Sequence, residues 1–285
     1  MPPIISLAAP LGSYTVHKGM AVYNFEAKLV RHAAPTLAGI KPANLFTWRA
    51  AGFAESEMHA AIGEVKARLE PLGVCVEAMA ERARGVLILA YRPTLVDECA
   101  NDPHARQILA DAHCDARDAR SLVQELKRRI QAADEARLSA IGAGENIEAP
   151  RPEKFVPCCG KHGAQPHHHG EGHVCQCRAR AAISREEAEA TQGEREFPHE
   201  IGIVLGYPPA DVEGFIKNRG ANFVACGGWK AYGDAQEALS AFQRNRRCAD
   251  EYRDLYAQGA PLEALASMQR GVAPGDLFAQ LQAAV

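Results

Sequence analysis

The chain has 285 residues, 47% hydrophobic and 6% aromatic, a globular composition long enough for one large core or two modest ones. Its 32 Lys and Arg against 35 Asp and Glu give a net charge of -3, which excludes a histone-like or polybasic nucleic-acid binder. No apolar run approaches a membrane span, no cationic leader opens the chain, and nine cysteines read as thiols or metal ligands rather than a disulfide framework.

Residues 1–22 read as an N-terminal extension, with Met20 an alternative start to Met1. Helical periodicity begins just after Met20, with Asn24 as the N-cap candidate and Phe25, Leu29 and Val30 as its apolar stripe. Pro35 and Gly39 are expected to interrupt that helix, and Lys41 to Trp48 reads as a loop entering a short strand. Met58, Ile62, Val65 and Leu69 recur at helical spacing, so 54–70 is an amphipathic helix. Val74 and Val76 alternate with Cys75 and Glu77, and Val86 to Tyr91 is a compact apolar run. With 82–85 between them they predict a hairpin of one partly solvated and one buried strand.

Asp102-Pro103 separates two short helices, and 116–139 forms a longer one with Leu122, Leu126 and Ile130 on its apolar stripe. From Gly142 to about Glu194 the pattern dissolves into Gly, Pro, His, Cys and charge, a flexible insertion or linker. Structure resumes at Phe197 with a short helix ended by Gly206. A second helix from Pro209 to Gly220 is expected to bury Val212, Phe215 and Ile216. Asn222 to Cys226 and Trp229 to Tyr232 predict strands joined by a two-residue turn at Gly227-Gly228. Asp234 caps a final long helix through Leu239, Phe242, Tyr252 and Leu255. Helices and hairpins without regular strand–helix–strand repetition predict an α+β fold: helices on small antiparallel hairpins or one small sheet, with the flexible His/Cys-rich insertion between two parts.

That insertion holds the strongest chemical signal. Of 20 His and Cys in the chain, nine fall in the 20 residues from Cys158 to Cys177: Cys158, Cys159, His162, His167, His168, His169, His173, Cys175 and Cys177. Thiolate and imidazole are the donors Zn(II) prefers, and they also suit Fe or Ni. Interspersed glycines let the Cys pairs at the two ends converge on one ion. The spacing differs from the C-x2-C knuckle of a structural zinc ribbon, so a site with several alternative ligand sets is expected.

Two further segments carry a family resemblance. His32-Ala-Ala-Pro-Thr-Leu-Ala-Gly-Ile-Lys-Pro-Ala-Asn-Leu-Phe46 is one. The other runs from Phe197-Pro-His-Glu-Ile-Gly to Gly214-Phe-Ile216, followed by Cys226-Gly-Gly-Trp-Lys-Ala-Tyr232. They resemble the bacterial, anaerobe-enriched domain-of-unknown-function family 3793, whose pattern reads FPHEIGxFLGYPPEDVxGFI and then CxGYWKVY. The resemblance covers roughly 24–135 and 195–256. It implies a single family-like α+β domain in two parts, 23–141 and 196–258, around the insertion 142–195, with a helical tail at 259–285. In this family a Cys often follows the first-motif His, whereas here Ala33 stands there, which argues against an obligate nucleophile at that place. The resemblance implies no activity.

Within these motifs, His199 and Glu200 in a first helical turn, Cys226 and Lys41 are the catalytic candidates, and Trp229 and Lys230 the ligand-binding ones. An imidazole titrates near neutrality, a thiol needs a nearby base or cation, and an ammonium beside a flat ring can hold an anion. If these side chains form a small-molecule or catalytic site, they should converge. The 201–216 segment also follows a helix-turn-helix rhythm, but Asp211 and Glu213 at the start of its second helix would repel phosphate, which counts against nucleic acid. No P-loop or dinucleotide fingerprint is present. The expectation is a cytoplasmic transition-metal-binding protein, an accessory or metal-handling factor with a protein partner in that traffic and no membrane association. Its ion is expected to be Zn, with Fe or Ni as alternatives.

Overall fold

A computed structural model describes residues 11–49, 52–83, 85–142 and 197–267. They form an α+β protein that divides into two compact units, each discontinuous in sequence. Of the described residues, the first takes those within 11–40, 44–92 and 249–267, and the second those within 41–43, 93–142 and 197–248.

The first unit begins with α1 (Leu11–Leu37). Ala21, Phe25, Leu29, Ala33 and Leu37 recur every fourth residue and are fully buried, which is why the helix runs unbroken through them. It starts well before the expected cap. Asn24 lies in its interior, where the carboxamide oxygen accepts from Trp48 Nε1 at 2.9 Å instead of capping a helix end. Nor does Pro35 break the helix. It sits in the last turn, where its fixed φ is already helical and only two helical residues follow it, and the chain leaves the helix at Gly39. Gly39 has φ +66, and the bonds Ile40 N–H to Pro35 O at 2.9 Å and Gly39 N–H to Thr36 O at 3.1 Å complete a Schellman turn.

β1 (Ala43–Trp48), β2 (Cys75–Arg82) and β3 (Gly85–Tyr91) form a sheet in the order β1-β3-β2. β2 and β3 pair antiparallel from Cys75↔Tyr91 to Arg82↔Gly85, with a bulge at Met79. β3, the central strand, is buried from Val86 to Tyr91, while β2 ends on exposed Glu81 and Arg82. α2 (Glu55–Leu69) covers this sheet with Met58, Ile62, Val65 and Leu69, the stripe read from the sequence.

One side chain closes several backbone ends of this unit. The guanidinium of Arg92 donates to Thr36 O at 2.7 Å, to Leu37 O, to Leu72 O at 3.3 Å and to Ala266 O at 2.7 Å. These carbonyls lie at the end of α1, in the turn after α2, and in α9 (Leu262–Ser267). Helix ends leave carbonyls without intrahelical donors, and arginine offers five N–H groups in a rigid fork. Arg68 does related work with acids, bridging Glu26 and Glu263, while the Tyr256 hydroxyl donates to Glu26 at 3.0 Å.

In the second unit, α3 (Pro93–Ala100) and α5 (Ala119–Gly142) pack against α6 (Ile201–Val204), whose four residues are all buried, and α4 (Pro103–Asp111) packs against α3. Asp102 caps α4 by accepting from the N–H groups of His104 and Ala105, and Asp97 accepts from Ala119 N–H at 2.6 Å. α7 (Pro209–Asn218) follows, then β4 (Ala225–Cys226) and β5 (Lys230–Ala231), and α8 (Ala235–Ala257) begins in this unit and ends in the first. Asp234 caps α8 as expected. The hairpin differs from expectation: Cys226 pairs with Lys230, so its connection is the three residues Gly227, Gly228 and Trp229. Ile216 is 42% exposed rather than buried, because Asp211 and Val212 supply the inward face of α7.

Replacing Arg92 with Ala should destabilise the protein by about 3 kcal/mol, since several carbonyls lose a charged donor at once. Urea unfolding of R92A against wild type measures this; a shift below about 0.5 kcal/mol would mean that water replaces the guanidinium without loss.

Candidate functional site

The motif segments around Lys41, Gly206 and Trp229 meet inside the second unit. Gly206 ends α6 with φ +72, and a Cβ there would stand 2.4 Å from Pro42 Cγ. Only glycine therefore lets the Lys41-Pro42 segment lie against this turn. The next residue, Tyr207, stacks on Trp229 with ring centroids 5.0 Å apart, and Lys41 Nζ sits 5.0 Å from the Tyr207 centroid. Phe242 meets Trp229 edge-on at 4.5 Å. The Tyr207 hydroxyl donates to Gly228 O at 3.3 Å, and burial pushes it up to about 12.

Asp211 fixes the far side of this cluster. One carboxylate oxygen accepts from Trp229 Nε1 at 2.7 Å, and the other from the N–H groups of Tyr232 at 2.7 Å and Gly233 at 2.9 Å. A buried carboxylate is tolerated where such donors replace its lost water. Gly214, one turn along α7, makes room for Tyr232: a Cβ at Gly214 would lie 2.5 Å from Tyr232 Cγ.

Lys230 forms a second cation–ring cluster, with Nζ 5.6 Å from both the Phe215 and Phe223 centroids. His199 packs on the same Phe215 at 4.9 Å and on Phe197 at 5.8 Å. Glu200 points elsewhere. It is buried and accepts from Arg129 at 3.0 Å, while Arg129 also donates to Ala112 O and His113 O, each at 2.7 Å. With Glu125, which accepts from the same Arg129 at 2.7 Å, Glu200 is thus a counter-ion of a guanidinium that closes the end of α4. Cys226 is half-buried in β4, paired in register with Lys230. Of the candidates read from sequence, Lys41 and Trp229 are joined through Tyr207, and Lys230 and His199 through Phe215. Tyr207 was not singled out and Asp211 only as a residue that would repel phosphate, although both stand in the Gly-Tyr-Pro-Pro-Ala-Asp run; an aromatic and an acid flanking a Pro-Pro turn were the available signal.

In the first unit, His32 stacks on Phe46 at 5.2 Å, and Ala33 is buried with no exposure. Glu55, His59 and Glu81 bring three ligand atoms within 4.8 Å of one another on the surface, an arrangement that could hold a hard divalent ion. Contact with the Glu55 carboxyl pushes Glu81 above the usual carboxylate range. The nine ligand candidates from Cys158 to Cys177 lie outside the described residues. No helix among the described residues is long and apolar enough to cross a membrane.

An α+β protein whose motif residues lock a lysine against a tyrosine–tryptophan pair is the class these units define. The chain matches the family described as "Protein of unknown function (DUF3793)" over residues 29–138 and 175–266, and it belongs to that family. The second matched segment begins at Cys175, so Cys175 and Cys177 fall within it and the other seven ligand candidates between the two segments. No curated protein and no solved structure matches the chain.

Two predictions follow from this geometry. Gly214→Ala should destabilise by about 2 kcal/mol through overpacking against Tyr232. Gly63→Ala in α2, where a Cβ meets nothing within 4 Å, should be neutral or stabilise by up to about 1 kcal/mol. Equal effects in urea titrations would refute the packing argument. The second concerns Lys41, whose amine burial lowers from 10.5 to about 8. Between those values the unfolded chain holds a proton that the folded chain has lost, so stability rises with pH from about 8 to 10.5. Lys41→Met should remove that rise, as read from unfolding midpoints at pH 7.5 and 10.

Proposed function

We propose that this chain binds a transition metal and acts as a cytoplasmic accessory or metal-handling protein. The observation that carries the reading is the concentration of nine ligand-type side chains, Cys158, Cys159, His162, His167, His168, His169, His173, Cys175 and Cys177, in 20 residues. The four cysteines are the strongest ligands and the histidines serve as auxiliary or exchange ligands. Zn(II) is the expected ion on donor preference, with Fe or Ni as alternatives. More donors than one tetrahedral ion requires means that several ligand sets compete for it. That favours transfer to a protein partner over a rigid structural centre.

Full-length protein purified without a His-tag should carry metal by elemental analysis, and a variant lacking 156–178 should lose it while keeping its far-UV circular dichroism. Because thiolates and neutral imidazoles are the binding forms, lowering the pH should release the ion. Equal metal content and equal thermal stability in the two proteins would sink the reading.

A further inference from the structure

The junction of the Lys41 and Tyr207 segments contains a cation in an unusual setting. Lys41 is half-buried, with its Nζ over the Tyr207 ring, and among the described residues it has no carboxylate partner. Asp211, the acid of this cluster, is already committed through both oxygens to Trp229 Nε1 and to the N–H groups of Tyr232 and Gly233. A ring face attracts an ammonium, but more weakly than a buried carboxylate would. The cluster therefore removes water from the amine without supplying a full counter-charge. Stacking of Tyr207 on Trp229 and the edge contact from Phe242 hold the tyrosine ring in place beneath it.

We propose that Lys41 is a nucleophilic amine that captures a small aldehyde or ketone as a reversible imine. The nitrogen lone pair attacks the carbonyl carbon, and the carbon–oxygen π pair moves to oxygen, which takes up a proton. The carbinolamine then loses its hydroxyl and the remaining N–H proton as one water, leaving C=N. No electrons are exchanged with any other reactant. Protonation of the imine restores a positive charge at the same nitrogen, where the Tyr207 face attracts it. The same desolvation acts on the free amine. With the Lys41 value near 8, the neutral, reactive fraction at pH 7 is roughly 300-fold above that of an ordinary lysine. The proposal is independent of the metal reading, since it uses none of the residues from 158 to 177.

The test is trapping with pyridoxal and sodium cyanoborohydride on the full-length protein, followed by peptide mapping of every lysine by mass spectrometry. Lys217, exposed and paired with Glu213 at 2.7 Å, is the internal reference. At pH 7, Lys41 should label at least tenfold faster than Lys217, and the advantage should shrink as the pH is raised towards 10. Tyr207→Phe should keep the advantage and Tyr207→Ala should lose it. Labelling of Lys41 no faster than Lys217 at pH 7 in the folded wild-type protein overturns the proposal, whether or not the Tyr207 variants fold.

Discussion

Short helices joined by short connections face a recurring cost: each ends in carbonyl groups that the helix itself cannot satisfy. Here two arginines carry much of that burden, one in each unit. Arg92 gathers carbonyls from the end of α1, the turn after α2 and α9, so three separate segments share one donor fork. Arg129 does the same for Ala112 and His113 at the end of α4, with Glu125 and Glu200 as its counter-ions. Lysine could not substitute in either place, because its ammonium is a compact point donor without the planar spread of a guanidinium.

Seen from this constraint, several motif residues with the look of catalytic groups belong to the scaffold. Glu200 pairs with Arg129, Asp211 holds the Trp229 hairpin, and Gly206 and Gly214 make room for Pro42 and Tyr232. Such positions are tightly specified because a buried carboxylate without its donors, or a Cβ forced into a ring, costs as much as losing a reactive group. Lys41 is different: among the described residues no acid offsets its charge, so its place over Tyr207 is one that packing alone does not demand.

Much of the fold was legible in local patterns. The stripe of α2, the β2–β3 hairpin, the break at Asp102-Pro103, the cap Asp234 and the α6–α7 turn all follow from periodicity and turn chemistry acting over a few residues. The failures share a cause. Asn24 looked like a cap because its side chain can serve a helix end, but Trp48, 24 residues away, takes that oxygen. Ile216 looked buried by its apolar character, yet α7 turns Asp211 inward, since that carboxylate has three donors waiting in the hairpin. In the site, Lys41 and Trp229 could be named as candidates, while the local run marks Tyr207 only as the start of a Pro-Pro turn; that it stacks between them depends on segments distant in sequence.

By itself the sequence determined the class of fold, the family and the concentration of thiol and imidazole ligands between Cys158 and Cys177, because composition, spacing and hydrophobic period are properties of neighbouring residues. Only the tertiary structure decided which polar groups are partnered and which are not. Burial and hydrogen bonding depend on what distant segments bring to the same place. That is how Asp211 and Glu200 became structural anchors, while Lys41 was left as an amine stripped of water above an aromatic ring.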